Sequence, residues 1–331
     1  MSMYVSLYIS AMRQLFPGTP TYTEKDIPDL SGKVYLVTGA NTGIGKEISR
    51  ILFSKNATVW AAARSERKGR NAIQSIREEY PSSTGRLEFL LLDLGDLMAV
   101  KKAAETFLEK EKQLHVLFNN AAIMMPPKGS KSAQGYELQL GVNCLGPFLF
   151  TKLLTPMIIK TAKISPKNSV RVVWVSSSAG ELLIPVRGGI DLNNLDYKKD
   201  YFYAHRYGLT KAGDYYYSVE YARRHREDGI VSISLNPGNL KTDLDRNCNP
   251  LENLYRKATT YPAVYGAYTE LFAGISDEVT LEKSGDWIVP WGRFSDIRKD
   301  LFQGSKPQSE GGTGIGQKFW AWSEEQVKPY V

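Results

Sequence analysis

Cysteine is nearly absent: the 331 residues hold two, Cys144 and Cys248. They lie far apart, in neither a metal-binding nor a redox spacing, so neither a disulfide nor a metal site is expected. Cys144 falls in an apolar helical stretch and reads as core. No Pro/Gly/Ser-rich linker, repeat or low-complexity run divides the chain, which argues for one domain with a substantial core. There is no recognisable secretory signal, and no uninterrupted apolar run long enough to span a bilayer, so a cytoplasmic protein is expected. The net charge of +7 is scattered rather than gathered into a stripe. With no recognised nucleic-acid module either, nucleic acid is not an expected partner.

The terminus is unusual. Met1 to Phe16 are strongly apolar, and a helix there would group Tyr4, Leu7, Tyr8, Ala11, Met12 and Leu15 on one side. This arm, residues 1–30, is expected to pack on its own domain or on a second subunit. Contact with the surface of an intracellular membrane is the alternative.

What the chain does contain is a regular alternation. The β-branched run Lys33 to Thr38 feeds Gly39-Ala40-Asn41-Thr42-Gly43-Ile44-Gly45, and a helical pattern follows with Ile48, Ile51, Leu52 and Phe53 on its apolar side. Strand, glycine turn, helix is the context of a dinucleotide fingerprint. Gly39 would allow the tight exit from the strand, Gly43 the approach of a pyrophosphate, and Gly45 close packing of the helix. Further strands read as Thr58 to Ala63, Leu87 to Leu92, His115 to Phe118, Val170 to Val175 and Ile230 to Leu235. A last one includes Trp287 to Trp291. The alternation predicts an α/β fold: a doubly wound parallel sheet (Rossmann fold), single domain, with substrate-side extensions.

A second constellation lies in His205-Arg206-Tyr207-Gly208-Leu209-Thr210-Lys211. Residues four apart share one helical face, so the Lys211 ammonium can lie beside the Tyr207 phenol. A tyrosine ordinarily ionises near pH ~10, and a fixed positive charge favours the phenolate. Such a tyrosine can serve as a general acid and base near neutrality. Taken singly, the Tyr-x-x-x-Lys spacing is a weak signal in a chain with 19 tyrosines.

Its neighbours strengthen it. Thr38 with the glycine turn, Asn119-Asn120-Ala121-Ala122, Asn143 in a Gly-Val-Asn-Cys-Leu-Gly segment, Ser177 in Ser176-Ser177-Ser178-Ala179-Gly180, Tyr207 with Lys211, and Asn236-Pro237-Gly238-Asn239-Leu240-Lys241-Thr242 occur in that order. This series resembles the short-chain dehydrogenase/reductase family, with residues 31–300 as its domain. The resemblance implies Asn143, Ser177, Tyr207 and Lys211 as catalytic residues. Tyr207 would exchange the proton, Ser177 would hold the carbonyl oxygen, Lys211 would bind the nicotinamide ribose, and Asn143 would position a water leading to Lys211. Ser177 is preferred over its serine neighbours for its spacing to Gly180. The resemblance also implies cofactor contacts at Gly39, Asn41, Gly43, Ile44, Gly45, Asp93, Leu94, Asn120, Ala121, Pro237, Leu240 and Thr242, besides Tyr207 and Lys211. Asp93, read alone, would equally cap a helix beginning near Asp96. Arg64 ends the second strand, where an acidic residue would favour NAD. An arginine there pairs with a 2′-phosphate, so NADP(H) is the expected cofactor. Lys68 and Arg70 are read as a solvated helix face.

Some segments depart from the family's shorter members. Ala122 replaces the usual glycine. The stretch 180–206, between Ser177 and Tyr207, is long and carries Leu182, Leu183, Ile184, Tyr197, Tyr201 and Phe202. It resembles the retinol-dehydrogenase-like branch, and the opening Phe16 to Asp26 resembles fungal members of that branch, which implies a lipophilic small-molecule substrate. Residues 243–261, with Arg246, Asn247 and Asn249, are expected to form a lid. The extension 301–331 is expected to pack on the domain through Phe319, Trp320 and Trp322, and Gly311 to Gly316 is read as a loop. A homo-oligomer is expected by family resemblance. Imine reduction or a redox-assisted rearrangement in secondary metabolism remains an alternative reaction. A non-catalytic cofactor-binding protein is the reading from another class.

Overall fold

The computed structural model describes residues 10–184, 187–242 and 260–331. At its centre is an eight-stranded sheet in the order β3-β2-β1-β4-β5-β6-β7-β8. The parallel strands are β1 (Val34–Thr38), β2 (Thr58–Ala63), β3 (Arg86–Leu91), β4 (Val116–Asn119), β5 (Arg171–Val175), β6 (Val231–Leu235) and β7 (Trp287–Val289). β8 (Arg293–Ser295) returns antiparallel against β7. The expected strands fall within a residue or two of these bounds. β8 was not expected, because three half-exposed residues carry no readable period.

The apolar runs are strands buried on both faces, as a covered parallel sheet requires. In β5, Val172 and Trp174 face one layer while Val173 and Val175 face the other. Helices α1 (Gly43–Ser54), α2 (Glu66–Glu79) and α6 (Ala263–Ile275) cover the second layer. Helices α3 (Leu97–Lys110), α4 (Gly146–Ala162) and α5 (Tyr203–Arg224) cover the first.

The carboxy-terminal segment packs on this first layer. Helices α7 (Lys299–Ser305) and α8 (Ile315–Val327) lie beside α5, with Phe319 stacked on Tyr217 at 5.0 Å and Trp320 edge-on to Phe148 at 4.8 Å. The expected loop at Gly311 to Gly316 ends sooner than its glycines suggest. Gly314 takes a positive φ of 68° and starts α8, so Ile315 and Gly316 are helical. The helical stretch Leu138–Ala162 is long and apolar enough to cross a membrane by length and composition, but it is interrupted by polar residues such as Gln139, Asn143 and Lys152 and is a mostly buried core element here.

One buried histidine ties the sheet together and sets an acid limit. His115 Nδ1 accepts the Val34 N–H at 3.0 Å, a bond that only the unprotonated ring can make. Burial, with Lys33 nearby, lowers its pKa to about 4. The unfolded chain takes up this proton near its ordinary value of ~6.5, the folded chain only near 4. Its contribution is therefore intact above ~6.5 and is lost as the pH falls toward 4. Denaturant melts across this window should show falling stability, with a shallower fall in His115→Gln.

Candidate active site

The chain runs outward from β1 to β3, then crosses back to start β4 on the other side of β1. In such sheets ligands bind beyond the carboxyl ends of the strands near that switch. A cavity of about 830 Å³ occupies this place. The segments leaving each of the strands β1 to β6 contribute to it: Gly39, Arg64, Asp93, Asn120, Ser177 and Pro237. Residues scattered over two hundred positions of sequence thus meet because each follows a parallel strand.

The glycine turn shapes one end. Gly39 and Gly43 have φ of +71° and +55°, a region unfavourable to side chains. A Cβ on Gly39 would also lie 3.1 Å from Ala121, and one on Gly43 would press the Thr242 methyl at 3.3 Å. Helix α1 starts at Gly43, and its N-cap residue Thr42 makes no side-chain capping bond. Its first-turn N–H groups are oriented to receive an anion. Asn41 and Ile44 line the same end, while Gly45 packs against the Gly39 carbonyl. Asn120 donates to the Thr38 carbonyl at 2.7 Å, and Ala121 N–H donates to the Thr38 hydroxyl at 2.9 Å. The Asn120 amide thus ties β1 to the loop after β4, and both Asn120 and Ala121 border the cavity.

Arg64 is exposed at the cavity edge and forms no ion pair among the described residues. Lys68 lines the cavity as well, which differs from its expected place on a solvated face. Arg70 does lie outside, paired with Glu66 at 2.7 Å and over the Phe89 ring. Asp93 and Leu94 form the wall beyond β3. Asp93 accepts the Gly95 N–H at 2.9 Å, and the cap of α3 is Asp96, through the Met98 N–H at 3.0 Å. The capping reading of Asp93 is thereby set aside. Leu240 and Thr242 complete this side.

At the other end, close backbone approach brings two segments together. The helical turn Ala179–Leu182 lies on α5, where a Cβ on Gly208 would stand 2.8 Å from the Ala179 carbonyl. Gly180 faces Lys211 and Ala212 in the same contact. This proximity sets Ser177 beside Tyr207 and Lys211 on the cavity wall. Among the three serines, Ser176 is buried with its hydroxyl bonded to the Lys211 carbonyl at 2.5 Å. Ser177 accepts the Ala179 N–H at 3.1 Å, which leaves its own proton available to the cavity. Tyr207 is 6% exposed, and Lys211 Nζ lies 5.8 Å from its ring centroid. Lys211 donates to the Val175 carbonyl at 2.7 Å and to Asp214 at 2.9 Å.

Comparison with known proteins agrees with this architecture. A model of the short chain dehydrogenases matches residues 33–188. A short-chain dehydrogenase/reductase of Phomopsis amygdali is 53% identical over 327 residues, 97% of each chain. This chain belongs to the short-chain dehydrogenase/reductase family. Another relative, the short-chain dehydrogenase/reductase pkfC of Emericella nidulans, is 47% identical over 94% of this chain and 98% of its own. Among solved structures, an uncharacterized protein from Mycobacterium paratuberculosis is 27% identical, with a TM-score of 0.67 over 94% of this chain and 98% of that one. The NADPH-bound carbonyl reductase from chicken fatty liver shares the fold, at 23% identity and a TM-score of 0.59 over 78% of this chain and 96% of its own. The chain is thus an oxidoreductase of this family.

Two features of this family member were not foreseen. Asn143 lies in a π-helical segment, Gly141–Leu145, ahead of α4. Its amide accepts the Ile123 N–H at 2.9 Å and donates to the Ile123 carbonyl and the Thr210 hydroxyl, each at 3.0 Å. Both amide protons are committed to protein, so the side chain ties the loop after β4 to α5. The other feature is Asp214, one turn beyond Lys211 and equally buried. Burial opposes the lysine charge, but Asp214 and then Tyr207 outweigh it and hold the pKa above the ordinary lysine value. Burial pushes Asp214 up to about 6, against the pull of Lys211. Two further groups face the pair, the Cys144 thiol and the Glu270 carboxyl on α6. Burial raises both well above their usual values.

The long stretch 180–206 contributes less to the cavity than its apolar content suggests. Leu182 and Leu183 line it, whereas Tyr197 packs into the core and Tyr201 bonds Asp191. Phe202 is 58% exposed and lies outside it. Most of the expected lid, residues 243–259 with Arg246, Asn247 and Asn249, lies outside the described residues, as do residues 1–9 with Tyr4, Leu7 and Tyr8, and Cys248. The described part of the arm does reach the cavity: Ala11, Met12, Gln14 and Leu15 form one of its walls. The apolar period of Met1 to Phe16 marked this segment, but nothing local marked Gln14.

Proposed function

We propose that this protein is an NADP(H)-dependent oxidoreductase interconverting a carbonyl and an alcohol on a lipophilic small molecule. The reading is carried by Ser177, Tyr207 and Lys211 meeting on the wall of one cavity whose far end holds the glycine turn and Arg64. The start of α1 and the glycine turn that a Cβ would crowd fit a pyrophosphate. Arg64, with Lys68 beside it, suits a 2′-phosphate, and Asp93 suits the adenine amino group. When bound, the nicotinamide supplies or accepts the hydride at carbon.

The remaining work falls to the protein. Tyr207 gives its proton to the carbonyl oxygen in reduction and removes the alcohol proton in oxidation. Ser177 donates a hydrogen bond to that oxygen as negative charge develops. Lys211 has three N–H donors, of which Val175 and Asp214 take two. The third is left for the nicotinamide ribose, and the ammonium favours the Tyr207 phenolate. Asn143 acts by holding the loop after β4. Leu182, Leu183 and Met12 give the substrate end an apolar lining. The reading is tested by NADPH oxidation against aldehydes, ketones and cyclic imines. Turnover of carbonyls supports it, and turnover of imines alone would redirect it to the imine-reductase reaction.

Asp214 supplies a finer test. Its carboxylate is the main partner that keeps the buried Lys211 charged. Asp214→Asn keeps the shape and removes that support, so the Lys211 charge weakens and the pH profile of alcohol oxidation should move up. A profile that moves down would mean that Asp214 chiefly offsets the Lys211 charge felt at Tyr207.

A further inference from the structure

The segment 10–16 precedes the first strand and belongs to no part of the nucleotide-binding alternation, yet it sits at the substrate end of the cavity. Its anchor is Gln14, 5% exposed. The Gln14 amide nitrogen donates to Glu181 at 2.8 Å and to Ser10 at 3.1 Å, and its oxygen accepts from Asn236 at 2.8 Å. Glu181 lies in the helical turn that follows Ser177, and Asn236 follows the end of β6 just before Pro237. One side chain therefore bridges the segment bearing the serine and the segment leaving β6.

The bridge is itself supported. Asn236 accepts the Gly238 N–H at 3.1 Å, and Glu181 accepts the Arg298 N–H at 3.0 Å. Backbone carbonyls of the segment and of the turn just after it take further bonds. Trp291 donates to Gly18 at 3.0 Å, and Tyr261 to Leu15 at 3.4 Å. Every polar group of Gln14 is matched, so the segment is fixed and not merely adsorbed. Held in this way, Met12 and Leu15 line the cavity together with Leu182 and Leu183. Met12, Leu182 and Leu183 are each about two-fifths exposed and form an apolar rim on the cavity.

We infer that residues 10–16 are the specificity-determining wall of the substrate site: Gln14 positions the wall, and Met12 and Leu15 receive the apolar body of the substrate next to its reacting carbon. This inference rests on the carbonyl-reductase reading above. It assigns the terminus a task in substrate choice that the catalytic residues do not perform.

The experiment uses the full chain and a series of straight-chain aldehydes and ketones of increasing length, with NADPH affinity measured separately by fluorescence. Met12→Trp, at an exposed position, is expected to cut kcat/KM for the longest members by about tenfold and for the shortest by no more than about twofold. Gln14→Ala is expected to raise KM across the long members with kcat nearly constant. NADPH affinity should be unchanged in both. If Gln14→Ala does not fold, Met12→Trp decides alone. If the wild type turns over the series but neither variant alters its length dependence, the inference fails while the reductase reading stands. If the wild type reduces none of the series and the Tyr207→Phe control behaves identically, the reading fails and takes the inference with it.

Discussion

Tyr207→Phe is expected to cut NADPH-dependent turnover by about 10³-fold while NADPH binds as in the wild type. The substitution removes one oxygen and keeps a ring that is almost fully buried in the wall. Lys211 stays bonded to Val175 and Asp214, so the charge on that side of the cavity persists. What disappears is, among the described residues, the one ionisable hydroxyl on the cavity wall that the Lys211 ammonium faces. Ser177 still donates to a carbonyl oxygen, but it has no neighbouring base to exchange a proton with, so a small residual rate is expected. Single-turnover absorbance of NADPH, with cofactor affinity measured in parallel, separates the two effects. Loss of both binding and turnover would place Tyr207 in cofactor support alone.

Arg64→Ala carries the second large effect. A guanidinium at the end of β2, exposed at the cavity and unpaired with any described carboxylate, is available to a phosphate. Losing a charge-assisted contact costs about 2 kcal/mol, roughly thirtyfold in Kd. The loss should fall on NADPH, with NADH nearly unaffected. Lys68 at the same edge should preserve part of the preference, so the double variant Arg64→Ala/Lys68→Ala should come close to equal affinity for the two cofactors. Equal weakening of NADPH and NADH by Arg64→Ala would assign the arginine to general shape or charge instead.

The sequence was legible wherever function depends on local spacing. A glycine turn between a β-branched run and an apolar helix, or a tyrosine and lysine one helical turn apart, encodes its geometry within a few residues. Six such segments in order were enough to place the strands and the residues at their ends. Contacts made across the chain left no comparable trace. Gln14 reaches Glu181 and Asn236, 167 and 222 positions away, and an isolated glutamine in an apolar segment does not announce such partners. Asn143 was recognisable as a residue, but the commitment of its amide to Ile123 and Thr210 depends on how the loop after β4 folds back. Asp214 was adjacent to the motif and still unread, since an aspartate on a helix is ordinarily solvated. β8 was missed for the simpler reason that three residues hold no period.

The most direct test of the central claim is isotope transfer. Purified protein would be incubated with NADPH deuterated at the nicotinamide C4 and with an apolar ketone, and the product alcohol analysed by mass spectrometry. The account predicts one deuterium on the carbinol carbon of the wild-type product and almost none formed by Tyr207→Phe in the same time. Deuterium transfer that is equally fast in both proteins, or tight NADPH binding with no transfer to any carbonyl, would contradict it.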